Sequence, residues 1–180
     1  MSNNKYNATG VYYNLEKRKT LTEGEIYYYR KLNCYQREKR HEIVFFASKF
    51  EFKVFQALSE IFGHDNILPQ HHVPIIFPGK CYPFGKEWAI DFAIKPARSR
   101  TTGLFVEAKG MCTQNFLHNL AMLEANNPRV FEKLVIVFDT SIPIKHSIIA
   151  NLRKYNELGG CQVLLYSEFI QKYSQQMVTA

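Results

Sequence analysis

The chain has 180 residues, with 23 Lys and Arg against 16 Asp and Glu, a formal net charge of +7 and 46% hydrophobic residues. That length and apolar content suit one compact domain with a sizeable core plus an appendage, and the basic balance favours a polyanionic partner. No apolar run reaches the roughly 18 residues of a membrane span, the first residues are polar rather than a leader, and Cys34, Cys81, Cys112 and Cys161 form no Cys-x-x-Cys pair; no membrane partner, secreted disulfide framework or zinc knuckle is expected, but a soluble cytoplasmic protein with reduced thiols.

Residues 1–20 are polar and without periodicity, and read as an arm. From Thr22 to about Ile43 the spacing predicts a helix. Thr22 caps it, Glu25 completes a capping box, and Ile26, Tyr29 and Leu32, with Tyr35 and Arg37, recur at helical intervals. Arg30, Lys31, Arg37, Lys39 and Arg40 make the rest of this stretch basic. Residues 1–49 hold ten Lys and Arg against five acids, and seven of the eleven tyrosines, so the charge surplus is concentrated here. Such a helix can lie along a phosphate backbone with its rings stacked on sugars or bases. It can equally be a solvated helix that packs its tyrosines on the core. The expected organisation is a basic, Tyr-rich arm and helix over 1–45 and a core over 46–180.

Residues 48–62 predict the first core helix, with Phe50, Val54, Leu58 and Ile61 along one face and Gly63 as the stop. Ser48 and Glu51 are spaced as a second capping box. Residues 67–77 read as a strand whose Pro69 and Pro74 place it at a sheet edge; its adjacent His71 and His72 point to opposite faces. A turn over 79–85 follows. The run 88–94 is then apolar except for Asp91, and the run 104–110 carries Glu107 and Lys109. Pro96, Ser99 and Gly103 between them are turn material, so the two runs pair as a hairpin. Arg98 and Arg100 on its loop can fork onto phosphates. Thr113 caps a second core helix over 114–126 with a stripe of Phe116, Leu120 and Leu123; Gln114 in its first turn lies near the end of the Glu107 strand, within reach of a substrate. The stretch 133–138, unbroken in apolar residues after Lys133, predicts a central strand covered on both faces. A helix near 144–158, a strand over 161–166 and a short helix over 167–174 complete an α/β sandwich with the sheet in the middle.

The hairpin carries the chemistry. A buried acid is costly unless it is paired or holds a metal, and here two carboxylates and an ammonium converge. Side chains two apart in a strand share a face, so Glu107 and Lys109 point the same way as Phe105, while Ala108 points into the core. Asp91 shares its face with Ala89 and Ala93, small neighbours that leave room for an ion and a substrate. The set can hold Mg²⁺ through carboxylate oxygens and waters. The ammonium can orient or deprotonate a water, or neutralise charge developing on a phosphate. Singly, each residue could make an ordinary salt bridge at a strand end; together, inside adjoining apolar strands, they point to catalysis.

These residues resemble the PD-(D/E)xK nuclease superfamily, on Ile90-Asp91-Phe92 and on Phe105-Val106-Glu107-Ala108-Lys109-Gly110, with the acid-bearing helix of Ser48 and Glu51 upstream. The segment from His72 to Pro78 is similar to the strand before the Asp in phage endonuclease I-type junction resolvases. Where the family name has a proline before the Asp, this chain has Ala89-Ile90. The likeness covers about residues 48–140, and more loosely to 170. It implies an α/β, restriction-endonuclease-like αβββαβ core with a central mixed sheet flanked by helices, and a basic N-terminal helical extension. It also implies that Asp91, Glu107 and the backbone carbonyl of Ala108 ligate Mg²⁺, for which Mn²⁺ would substitute. Lys109 would stand beside the attacking water, and Glu51 would serve as a further acid on the adjoining helix. The expected activity is endonucleolytic hydrolysis of DNA, as a junction resolvase, a site-specific nuclease or a transposon-end nuclease, by a homodimer or with a partner subunit. The alternative is a DNA-binding or assembly protein that keeps the fold without cutting. An RNA-processing module is a third class, disfavoured by the lack of an aromatic RNP-like strand.

Overall fold

The computed structural model describes residues 10–81, 83–95, 103–139 and 146–178; Arg98 and Arg100 lie outside the described residues. The chain divides into two compact units, residues 1–53 and 54–180.

The first unit holds strands β1 (Val11–Asn14), β2 (Lys19–Thr20) and β3 (Ile43–Phe46), and helices α1 (Glu23–Lys31) and α2 (Cys34–Glu38). The strands form an antiparallel sheet in the order β2-β1-β3, with Tyr13 opposite Val44. Buried Phe46 and Tyr13 close the core with Phe52, their rings 5.4 to 6.4 Å apart. Between β1 and β2 the side chain of Asn14 accepts the Lys17 amide at 2.7 Å and Arg18 adopts φ 50°, as a tight polar turn requires.

Two expectations are corrected here. The stretch read as an arm supplies β1 and β2; these strands are four and two residues long, too short to register as alternation. The single helix expected from Thr22 to Ile43 is two helices followed by a strand. Thr22 and Glu25 do form a capping box, but Leu32 turns extended at ψ 143° and ends α1. Asn33 then starts α2, its side chain accepting the Gln36 amide while the Gln36 side chain accepts the Asn33 amide. That second box was present in the sequence as Asn33-x-x-Gln36.

The second unit is an α/β structure around a mixed five-stranded sheet. Its strands are β4 (Ile67–Ile76), β5 (Lys86–Ile94), β6 (Leu104–Lys109), β7 (Leu134–Phe138) and β8 (Gln162–Leu165), lying side by side in chain order. β4, β5 and β6 are antiparallel neighbours, whereas β6, β7 and β8 run parallel. Helix α3 (Lys49–Phe62) precedes the sheet and reaches Phe92 of β5 through Phe55, ring on ring at 6.1 Å. Helices α4 (Gln114–Asn126) and α5 (Pro128–Phe131) link β6 to β7, and α6 (His146–Glu157) and α7 (Tyr166–Val178) flank β8. All five residues of β7 are buried, as their unbroken apolar run requires. β4 is the edge strand, where Pro69 and Pro74 cost no interior ladder bond. The β4–β5 turn needs Gly85: its φ is +67°, and a Cβ there would lie 2.6 Å from the Ile76 carbonyl oxygen. Among the described residues no helix is long and apolar enough to cross a membrane.

The cysteines offer a direct check. Cys34 and Cys81 are exposed, Cys112 is half-buried, and Cys161 is buried, with burial pushing its thiol up to about 12. Since the thiolate is the nucleophile, a disulfide-exchange reagent at mildly alkaline pH is expected to label Cys34 and Cys81 rapidly, Cys112 slowly, and Cys161 only after unfolding. Rapid labelling of Cys161 in the native protein would contradict this packing.

Candidate active site

The β5–β6 ladder pairs Ile94 with Leu104, Ala93 with Phe105 and Phe92 with Val106, and there it stops. One step further the register would set Asp91 opposite Glu107. Side chains replace the backbone bonds at that point. The Asp91 N–H donates to Glu107 Oε2 at 3.0 Å, and the Ala108 N–H donates to Asp91 Oδ2 at 2.8 Å. Each carboxylate thus takes an amide of the opposing strand. The two bonds hold both acids where the ladder ends.

The other edge of β5 is interrupted at the same level. The β4–β5 pairing passes from Pro69–Phe92 to His71–Ile90 and skips Gln70, the residue across from Asp91. Gln70 has φ 52°, in the left-handed region, which costs a non-glycine residue about 1–2 kcal/mol. Composition and periodicity gave no sign of this irregularity. The alanines expected on either side of Asp91 also differ: Ala89 is exposed and Ala93 is fully buried. The space beside Asp91 therefore opens on one side.

The opposite edge of β6 shows which way Ala108 faces. The Phe105 amide donates to the Lys133 carbonyl at 3.0 Å, and the Lys109 carbonyl accepts the Asp139 amide at 3.1 Å, so both residues turn their backbone groups towards β7. Backbone direction alternates along a strand, and one residue's N–H and C=O point the same way. The Ala108 carbonyl therefore faces β5 and the gap that holds the two carboxylates.

Glu107 is 1% exposed and pairs with Lys109, whose Nζ lies 2.5 Å from Oε1. Even so, its carboxyl is held above the usual carboxylate range. Burial is the largest cause and outweighs the opposing effects of the Lys109 ammonium and the Asp91 amide. Lys109 is itself positioned by Phe116 of α4, with its Nζ 5.2 Å from the ring centroid. The half-buried Cys112 thiol also feels this ammonium: burial raises it and Lys109 lowers it.

The site therefore gathers Asp91, Glu107, Ala108 and Lys109. Gln114 is exposed at the first position of α4, beside the cap in which Thr113 accepts the Phe116 amide at 3.2 Å. Glu51 belongs to the first unit and is 6% exposed; its Oε2 accepts the Ala47 amide at 2.8 Å and its N–H donates to Ser48 Oγ at 3.0 Å. The helix start is thus capped as expected, although Glu51 reaches back to Ala47 rather than to Ser48. Arg30, Lys31, Arg37, Lys39 and Arg40 are exposed residues of the first unit. The histidine pair separates: His71 lies 5.9 Å from the Phe105 ring, whereas exposed His72 meets Glu87 at 3.2 Å.

Two carboxylates, one inward carbonyl and waters suit a hard cation such as Mg²⁺, which takes few protein ligands. A carboxylate has about four lone-pair sites, so accepting an amide does not prevent it from ligating. Among the described residues no set of three or more His, Cys, Asp or Glu side chains is gathered for a metal, so a cation here would rest on Asp91, Glu107 and the Ala108 carbonyl. Compared with protein-family models, with curated proteins and with solved structures, the chain finds no match.

The buried acid should be visible in the stability profile. A carboxyl raised above its ordinary value of 4.5 binds a proton more readily folded than unfolded. The stability tied to it is fully present below the unfolded value and is lost as pH rises through the folded one. Glu107→Gln keeps an oxygen for the Asp91 amide and removes the titration. Its melting temperature, measured against pH from acid to neutral, is expected to gain on that of the wild type as pH rises through this window. A constant difference would contradict the assignment.

Proposed function

We propose that this chain is a metal-dependent DNA endonuclease of the PD-(D/E)xK kind, hydrolysing phosphodiester bonds with an activated water. The observation that carries the reading is the opened hairpin. Asp91 and Glu107 meet where the ladder stops, the Ala108 carbonyl faces the same gap, and Lys109 pairs with Glu107. The succession α3, β4, β5, β6, α4, β7 supports it as the αβββαβ order of that superfamily. The net charge of +7 suits a phosphate backbone.

In this reading Asp91, Glu107 and the Ala108 carbonyl hold Mg²⁺, with Mn²⁺ able to replace it. A bound divalent cation supplies Lewis-acid polarisation of a phosphoryl oxygen and a water of lowered pKa. The chain's own groups do the positioning. Asp91 and Glu107 are fixed by opposing amides and cannot drift apart. Lys109, whose side chain is 24% exposed, can donate to the attacking water or to a non-bridging phosphate oxygen. Gln114 and the basic residues Arg30, Lys31, Arg37, Lys39, Arg40, Arg98 and Arg100 serve DNA contact. Glu51 is read here as a residue of its helix start, where its Oε2 accepts the Ala47 amide and its N–H donates to Ser48.

One observation favours a non-catalytic reading: carboxylates, amides and ammonium satisfy one another, as a purely structural cluster would. Cleavage of labelled duplex, single-stranded and four-way-junction DNA, with Mg²⁺ and with EDTA, separates the two. Asp91→Asn keeps an acceptor for the Ala108 amide while removing the charge, and Lys109→Met keeps the stem over Phe116. Both are expected to lower the Mg²⁺-dependent rate by about 100-fold or more, while Glu51→Gln, which keeps the cap acceptor, retains activity. Binding without cleavage in the wild type, or cleavage unchanged in Asp91→Asn, would overturn the proposal.

A further inference from the structure

The first unit exposes aromatic rings that no core uses. Tyr27 is 56% exposed, Tyr28 73% and Tyr35 62%, all on α1 and α2. Three exposed rings within nine residues are a candidate binding surface. Two of the rings are dressed alike. Lys31 Nζ lies 4.3 Å from the Tyr27 ring centroid and Lys39 Nζ lies 4.4 Å from that of Tyr35. Each pair has the same Tyr-x-x-x-Lys spacing, one helical turn apart, and the second follows the first by eight residues. Tyr28 stands edge-on to Tyr27 at 5.9 Å and extends the platform.

The charge of the patch indicates its occupant. Residues 26–40 hold Arg30, Lys31, Arg37, Lys39 and Arg40 against the single acid Glu38. A ring has two faces. With a lysine at each ring and more than half of each residue exposed, both tyrosines remain accessible to a flat partner. A duplex keeps its base faces stacked inside and presents base edges, sugars and phosphates, so it offers the ring faces nothing to stack on. An unpaired strand presents both base faces and phosphates, the combination of stacking and cationic contact that single-strand binders use. An acidic peptide would match the lysines but leave the rings unused.

We infer that the first unit is a stacking platform for unpaired DNA, in which Tyr27, Tyr28 and Tyr35 take bases while Lys31 and Lys39 take the adjoining phosphates. The inference goes beyond the proposed hydrolysis, since it concerns binding by the first unit. If both hold, the substrate carries an unpaired or branched stretch.

The test is fluorescence anisotropy on the full chain in EDTA, where no metal-dependent cleavage intervenes. The probes are a labelled oligo(dT) of roughly 20 nucleotides and a duplex of the same length, with poly-glutamate as competitor. The wild type is expected to bind the single strand at least about tenfold more tightly than the duplex, with poly-glutamate a weak competitor. Each Tyr→Ala variant is expected to weaken single-strand binding about fivefold or more, and each Tyr→Phe variant to stay within about twofold of the wild type. Lys31→Ala and Lys39→Ala are expected to flatten the salt dependence. Circular dichroism distinguishes a lost ring from a lost fold. Equal binding of the duplex, full displacement by poly-glutamate, or Tyr→Ala variants that bind like the wild type while folded would each overturn the platform. None of these outcomes bears on cleavage by the second unit.

Discussion

The exchange of hydrogen bonds between Asp91 and Glu107 is the constraint around which the second unit is organised. A carboxylate inside a sheet loses several kcal/mol of hydration. The Lys109 ammonium offsets part of that loss. For Glu107 the balance falls on the side of desolvation, since its carboxyl remains above the ordinary range despite the Lys109 ammonium. Beside it the sheet gives up regular pairing. β5 and β6 part after Phe92–Val106; the Ala108 amide, which faces β5, turns to an Asp91 oxygen, and the Asp91 amide to a Glu107 oxygen.

The rest of the unit keeps that opening fixed. β6 lies between the hairpin and the buried strand β7, and the pairing to β7 continues in register through Glu107, Ala108 and Lys109 where the pairing to β5 has ceased. One edge of β6 is thus paired to its end while the other is not. α4 closes the arrangement from its first turn: Thr113 sets the helix start, and the start sets Phe116 against Lys109. On the far side of β5, the left-handed Gln70 marks a second departure from ideal geometry at the level of Asp91. Strain of this kind is commonest where function fixes a backbone.

Much of this was legible because it rests on periodicity or on charge within apolar runs. Glu107 and Lys109 stand two apart in a run otherwise apolar, so a shared face followed at once. The stripes of α3 and α4, the unbroken run of β7 and the prolines of edge strand β4 all translate directly into the observed elements. What escaped depends on pairing between distant residues or on strands too short to show a period. β1 pairs with β3, setting Val11 opposite Phe46, a partner that a local window cannot connect, and β2 has only two residues. The break after Lys31 was hidden because Ile26, Tyr29 and Leu32 keep helical spacing up to the break itself; the Asn33 and Gln36 box was the contrary signal. No pattern of residue types announces a positive φ at a glutamine, nor that two acids will trade amides rather than face each other across a ladder.

The account turns on whether the opened hairpin holds a divalent cation through Asp91, Glu107 and Ala108. Calorimetric titration of Mn²⁺ into the metal-free protein, beside Asp91→Asn, reads that directly and needs no substrate. The expected result is binding to the wild type that is lost in the variant, whose amide keeps the bond to Ala108 but not the charge. Binding of equal strength in both proteins, or none to the wild type, would contradict it.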